Sequence, residues 1–162
     1  MAPRSEPENV RVVTTNRKAY HDYSIEETYE AGIVLRGSEI KSIRAGRVNL
    51  RDGYAQIRNG ELWLIDVHIS PYSQASTHEG YDPSRPRKLL MHRYQINRLA
   101  RDQKKKGYTI VPLRMYLKGK WAKVELGLGK GRRLYDKRRA IAERESQRRM
   151  ERALAKQQRR RR

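Results

Sequence analysis

At 162 residues the chain is long enough for one domain of ordinary size, and its formal net charge of +20 makes a nucleic acid the expected partner. It has no cysteine, which excludes a disulfide framework, a zinc knuckle, an iron–sulfur site and thiol catalysis. No run of about 18 apolar residues occurs and the first residues lack a signal-peptide core, so a soluble cytoplasmic protein without membrane contact is expected.

The charge is unevenly spread. Residues 129–162 hold 15 of the 38 Lys/Arg and only 4 acids, so this short segment carries +11 of the +20. The pattern predicts a disordered N-terminus over 1–15, a folded body over 16–128 and a basic tail over 129–162.

From His21 the residues alternate. Tyr23, Ile25, Tyr29 and Ala31 fall on one face and Asp22, Ser24, Glu26, Thr28 and Glu30 on the other, which predicts a long half-buried strand bent at Gly32. Ser38 is expected to cap a short helix through Arg44, with Ile40 and Ile43 on one side and Gly46 at its end. Tyr54–Arg58 and Glu61–Ile69 flank Asn59-Gly60, the signature of a hairpin with a type I′ turn, and Trp63, Ile65, Val67 and Ile69 are expected inward. Residues 70–86, with three prolines, read as a long loop.

A short strand over Lys88–Met91 leads into an amphipathic helix, roughly His92–Lys106, packed through Ile96, Leu99 and Ala100 and ended by Gly107. A second hairpin turns at Lys118-Gly119-Lys120. Its inward residues are expected to be Val111, Leu113, Met115 and Leu117, then Ala122, Val124, Leu126 and Leu128. The order predicts a mainly β fold: a small closed antiparallel barrel of the OB type, about six strands, with two or three short flanking helices. An open α+β sandwich is the alternative.

On the outward face of the second hairpin, Arg114, Tyr116, Lys118, Trp121 and Lys123 interleave cations with aromatic rings, a combination suited to phosphates and unpaired bases of RNA. Arg17, Lys18, His21, Arg85, Arg87 and Lys88 are further cations next to strands. Nothing points to catalysis or to a cofactor. Asp22, Glu26 and Glu30 would suit a metal-dependent nuclease only if they met, and four residues of strand separate neighbours by about 13 Å. Gly127–Gly131 lacks the phosphate-loop signature and reads as a flexible exit to the tail. Residues 134–158 contain strong helix formers with no Gly or Pro, yet their apolar residues are too sparse for a packed face. The tail is therefore expected to be disordered when free and helical on a phosphate-lined surface.

Several collinear blocks resemble one family. They are Asn16-Arg17-Lys18-Ala19-Tyr20-His21-Asp22-Tyr23, Glu26–Ile33, Gly37–Gly46, Asp82-Pro83, Arg87-Lys88-Leu89-Leu90, Gly107–Leu113, Lys123-Val124, Gly129-Lys130-Gly131 and Asp136-Lys137-Arg138-Arg139. Together they resemble SmpB, the tmRNA-binding family of bacterial ribosome rescue. The resemblance implies an OB-type barrel that binds the tRNA-like domain of tmRNA and stands where a tRNA's anticodon arm would be. It implies a tail that enters the empty mRNA channel of a stalled ribosome and folds into a helix there. The implied partners are tmRNA, small-subunit rRNA at the decoding centre and, with alanyl-tmRNA, elongation factor Tu. On this resemblance the tmRNA site comprises Asn16, Arg17, His21, Glu30, Arg87, Lys88, Leu90 and Lys123. The decoding-centre residues are Gly131, Tyr135, Asp136, Lys137 and Arg138. A structural ribosomal or ribosome-assembly protein is the reading from a different class.

Overall fold

A computed structural model describes residues 9–72, 81–105 and 107–160, with the side chains of all but 133–143 and 160 among them. Its elements in chain order are β1 (Val10–Thr15), α1 (Arg17–Asp22), β2 (Tyr23–Ile33), α2 (Gly37–Arg44), β3 (Val48–Asn49), β4 (Tyr54–Arg58), β5 (Glu61–Ile65), β6 (His68–Ile69), β7 (Arg87–Leu90), α3 (Arg93–Gln103), β8 (Tyr108–Lys118), β9 (Trp121–Gly131) and α4 (Arg132–Arg160). The fold is mainly β. Seven strands form one antiparallel sheet in the order β1-β8-β4-β5-β7-β2-β9, with β8 also paired to β9, and β3 pairs with β6 in a second small sheet.

The alternation holds from Tyr23 on, His21 and Asp22 instead closing α1: Ala31 is buried, Tyr23, Ile25 and Tyr29 are half-buried, and Ser24, Glu26, Thr28 and Glu30 are exposed. Gly32 does not interrupt the strand, and the register instead shifts between Ile25 and Glu27 against β9. The β4–β5 turn has Asn59 and Gly60 at φ 51° and 74°, the positive values that a type I′ turn needs. Helix α3 buries Ile96 and Leu99, and Gly107 follows at φ 87°.

Five local expectations are corrected. Val10–Thr15, expected without order, form β1, which lies along the second half of β8; residues 1–8 are outside the described residues. The cap of α2 is Arg36 rather than Ser38, and Glu39 accepts from the Arg36 backbone N–H at 2.8 Å. In β5 Leu62 and Leu64 are fully buried and Trp63 is only half-buried, whereas Ile65 is buried as expected. Asp66 at φ 56° ends that strand and resets the phase, so that Val67 and Ile69 are buried again. In β8 a bulge between Pro112 and Arg114 reverses the alternation: Ile110, Met115 and Leu117 join the main core, while Val111 and Leu113 pack with Ala19, Tyr23 and Ile25 in a second cluster beneath α1.

The fifth correction concerns the exit to the tail. Gly127, Gly129 and Gly131 lie within β9, whose hairpin with β8 runs to Lys130 opposite Tyr108. A Cβ on Gly127 would come within 2.9 Å of Leu113 Cδ1, and one on Gly129 within 2.9 Å of Tyr23 Cβ. These glycines make room for the second cluster. The elements of the body therefore run from Val10 to Gly131, and Arg132–Arg160 form the single helix α4. Met150 and Leu154 of α4 are exposed, in keeping with the sparse apolar residues of that segment.

Candidate nucleic-acid interface

Strand register brings three of the expected contact residues together. Leu90 on β7 lies opposite Gly32 on β2, and Gly32 lies opposite Lys123 on β9. Gly32 carries no side chain, and a Cβ there would stand 3.4 Å from Leu90 Cβ. Leu90 is 53% exposed, and the Lys123 side chain makes no hydrogen bond or ion pair among the described residues. Lys123 in turn faces Tyr116 on β8. Two residues away in β2, Glu30 lies opposite Glu125, which lies opposite Arg114. Lys88 shares the face of Leu90, half-buried and 3.3 Å from Glu61. A cation, a carboxylate and an exposed apolar side chain thus sit on one outward surface of β7, β2 and β9.

The polar groups of this surface are tied to one another. Arg114 Nε donates to Glu125 at 2.9 Å, and its guanidinium stands over the Tyr116 ring, 5.0 Å from the centroid. That carboxylate holds the Arg114 guanidinium above its ordinary range. Lys118 Nζ is 3.3 Å from Glu30 Oε1, and the Tyr116 hydroxyl donates to Glu30 Oε2. Tyr116, expected as a stacking ring, is only 4% exposed. Met115 and Leu117 on either side of it face the core, so Tyr116 faces outward and is covered by its polar neighbours. Burial first, then the hydrogen bond and charge of Glu30, push its phenol well above the usual tyrosine range. Trp121, at 72% exposure, is the ring of this hairpin that remains open to solvent.

Two expected contact residues are removed from any surface. Arg87 is fully buried: Nε donates to Glu39 at 2.6 Å, Nη1 to the Val67 carbonyl at 2.7 Å and Nη2 to the Pro83 carbonyl at 2.9 Å. Each nitrogen of the guanidinium is used inside the fold, so it has nothing to offer a phosphate. Asn16 is also buried. Its Oδ1 accepts from Ala19 N–H at 3.2 Å to cap α1, and its Nδ2 donates to the carbonyls of Leu50 and Pro112. It holds α1 against β8.

Arg17 and His21 are exposed on α1, but not beside Leu90. They precede the first residue of β2, whereas Leu90 and Lys123 flank Gly32 near its end. Nine residues of strand separate the two places by roughly 30 Å. Arg17 makes no hydrogen bond or ion pair among the described residues, and His21 Nδ1 is 2.9 Å from Asp22. Gly131 lies opposite Tyr23, so the start of α4 is at the α1 end of the sheet. Tyr135, Asp136, Lys137 and Arg138 lie on the first turns of α4, with side chains outside the described residues.

The acids weighed as metal ligands are dispersed. Asp22 closes α1 beside His21, Glu26 accepts from the Tyr108 hydroxyl at 3.0 Å, and Glu30 is held by Tyr116 and Lys118. Among the described residues no group of three His, Cys, Asp or Glu could hold a metal ion, and no helix is long and apolar enough to cross a membrane.

Similarity to known proteins places this architecture. The chain is 63% identical over 144 residues to the SsrA-binding protein of Roseiflexus castenholzii, covering 89% of this chain and 91% of that one. It is 55% identical to the SsrA-binding protein of Synechocystis over 92% of this chain and 97% of the relative. A solved structure described as "tmRNA-SmpB: a journey to the center of the bacterial ribosome" contains a chain that superposes with a TM-score of 0.62 at 46% identity, over 73% of this chain and 82% of that one. With the SmpB family model matching residues 13–156, the chain belongs to the SmpB family.

Proposed function

We propose that the protein binds the tRNA-like domain of tmRNA and carries it to stalled ribosomes for peptide tagging and ribosome rescue, without chemistry of its own. The observation that carries this reading is the outward surface on which Leu90, Lys123 and Glu30 meet, in a chain of net charge +20. A lysine neutralises phosphate, a carboxylate accepts from base amino groups, and an exposed leucine packs on a base. The pairing of β8 with β9 joins the two sides of the strand order β8-β4-β5-β7-β2-β9, which supports an OB-type closed barrel as the scaffold. In this reading the sheet body stands where an anticodon arm would be, and α4 enters the empty mRNA channel, with Tyr135, Asp136, Lys137 and Arg138 nearest the decoding centre. Gly131, Arg17 and His21 lie at the root of that helix. Elongation factor Tu accompanies the alanyl-tmRNA, and the complex works in the cytoplasm.

The test is a salt series of titrations with the isolated tRNA-like domain. Log affinity should fall linearly with log salt. Lys123→Ala should reduce that slope by about one unit, whereas Leu90→Ala should lower affinity by about 1–3 kcal/mol with the slope kept. Unaltered affinity in both variants overturns the site. An RNA profile of the purified protein that contains only rRNA, with no tmRNA, favours a resident ribosomal protein instead.

A further inference from the structure

Glu30 stands on a solvent-facing strand position with its side chain 40% exposed, where such a side chain normally samples several rotamers. Here it is fixed from one side. The Tyr116 hydroxyl reaches Oε2 and Lys118 Nζ reaches Oε1, both from β8, two strands away across β9. The Tyr116 ring is itself immobilised: it is buried, its neighbours Met115 and Leu117 are locked in the core, and the Arg114 guanidinium covers it. Arg114 is in turn anchored by Glu125, the residue directly opposite Glu30. Without Arg114 the Glu125 carboxylate would face that of Glu30 across β2 and β9, with Lys118 left to offset both.

We infer that Tyr116 is a positioning residue for RNA recognition, orienting the Glu30 carboxylate so that its remaining lone pairs face outward toward the amino and imino N–H groups of an unpaired base. A carboxylate offers about four acceptor sites. The tyrosine and the lysine occupy the inner ones, which leaves the outer pair for two parallel N–H donors of a base edge. Immobilising a glutamate on binding costs conformational entropy, and a carboxylate already held by a buried phenol has lost most of it beforehand. This inference rests on the reading that Glu30 touches RNA.

The experiment is a double-mutant cycle on the full chain with fluorescently labelled tRNA-like domain of tmRNA, using Tyr116→Phe, Glu30→Gln and the double variant, each first shown to be folded by its thermal melt. Tyr116→Phe should weaken binding about tenfold in the parent chain and add almost nothing in the Glu30→Gln background. A tenfold loss that persists undiminished beside Glu30→Gln overturns the positioning role and makes the effect a general one on the fold. Parent-like binding by Tyr116→Phe, with Glu30→Gln weakened, overturns the positioning role and leaves Glu30 as a contact. Parent-like binding by Glu30→Gln overturns the underlying contact itself. Should Tyr116→Phe not fold, Lys118→Met takes its place in the cycle, and most of its loss must vanish beside Glu30→Gln for the inference to stand.

Discussion

Glu39 and Arg87 meet with no exposure to solvent, one from the first turn of α2 and the other from the start of β7. Burial pushes the Glu39 carboxyl up, but Arg85, the Arg36 backbone N–H and Arg87 together outweigh it and hold the group below the usual carboxylate range. Its stabilisation is therefore complete above the unfolded value of about 4.3 and disappears as pH falls through the lower folded value. Glu39→Gln leaves the Arg87 cation buried without its counter-charge, and a loss of about 3–5 kcal/mol in urea unfolding at pH 7 is expected. The difference between variant and parent should shrink below about pH 4, as the parent's own carboxylate is protonated. A constant difference down to pH 2 would contradict this. Little of the pair was legible beforehand. Arg87-Lys88-Leu89-Leu90 reads as a strand flanked by solvated cations, and nothing local marks an acid 48 residues upstream as its partner. Glu30, Leu90 and Lys123 could be read, because alternation puts Glu30 outward and the family resemblance names all three.

Strand β9 shows how an element takes its meaning from its neighbours. Glycine every second residue, in Gly127, Gly129 and Gly131, looks like flexibility when the chain is read alone. Packed against β8 and β2, two of them are positions where the side chains of Leu113, Ile25 and Tyr23 fill the space that a Cβ would need. Gly127→Ala presses on Leu113 Cδ1 and Cγ and on Ile25 Cγ2, side-chain atoms that can give only by rotating within the second cluster. Gly129→Ala presses on Tyr23 Cβ, which cannot move without its backbone. Both should destabilise, by about 1–3 kcal/mol, with Gly129→Ala the costlier in thermal melts. Equal or absent losses would mean that the second cluster is loosely packed. Periodicity served well where an element is regular along its length, as in the β4–β5 turn and the Ile96 and Leu99 stripe of α3. It failed where one residue resets the phase. Asp66 does so after β5, and the bulge after Pro112 does so in β8, and both follow from tertiary packing rather than local preference.

At the scale of the molecule the charge and the fold are divided differently. Residues 129–162 carry +11, but the sheet continues to Gly131, where Lys130 lies opposite both Ser24 and Tyr108 and Gly131 opposite Tyr23. A chain ending at Gly129 would therefore lose the last rungs of both ladders, whereas one ending at Gly131 removes α4 and leaves every strand intact. The shorter body should fold, because among the described residues its two hydrophobic clusters are built from elements that precede α4. It should also still bind the isolated tRNA-like domain, since Leu90, Lys123 and Glu30 all remain. Affinity should fall at low salt and approach that of the full chain as salt rises, because the lost cations act mainly through long-range attraction, which a Debye length of about 8 Å at physiological ionic strength suppresses. Peptide tagging on ribosomes stalled at a truncated message should disappear. A full-length variant with Tyr135, Asp136, Lys137 and Arg138 changed to alanine should share that defect while keeping its RNA binding. Truncation of the terminal arginines alone should matter less, because a run of like charges acts through its sum rather than through any one geometry. The two assays are run side by side on the same preparations, and normal tagging by the chain ending at Gly131 would reduce α4 to a solubilising extension and refute its proposed place in the mRNA channel.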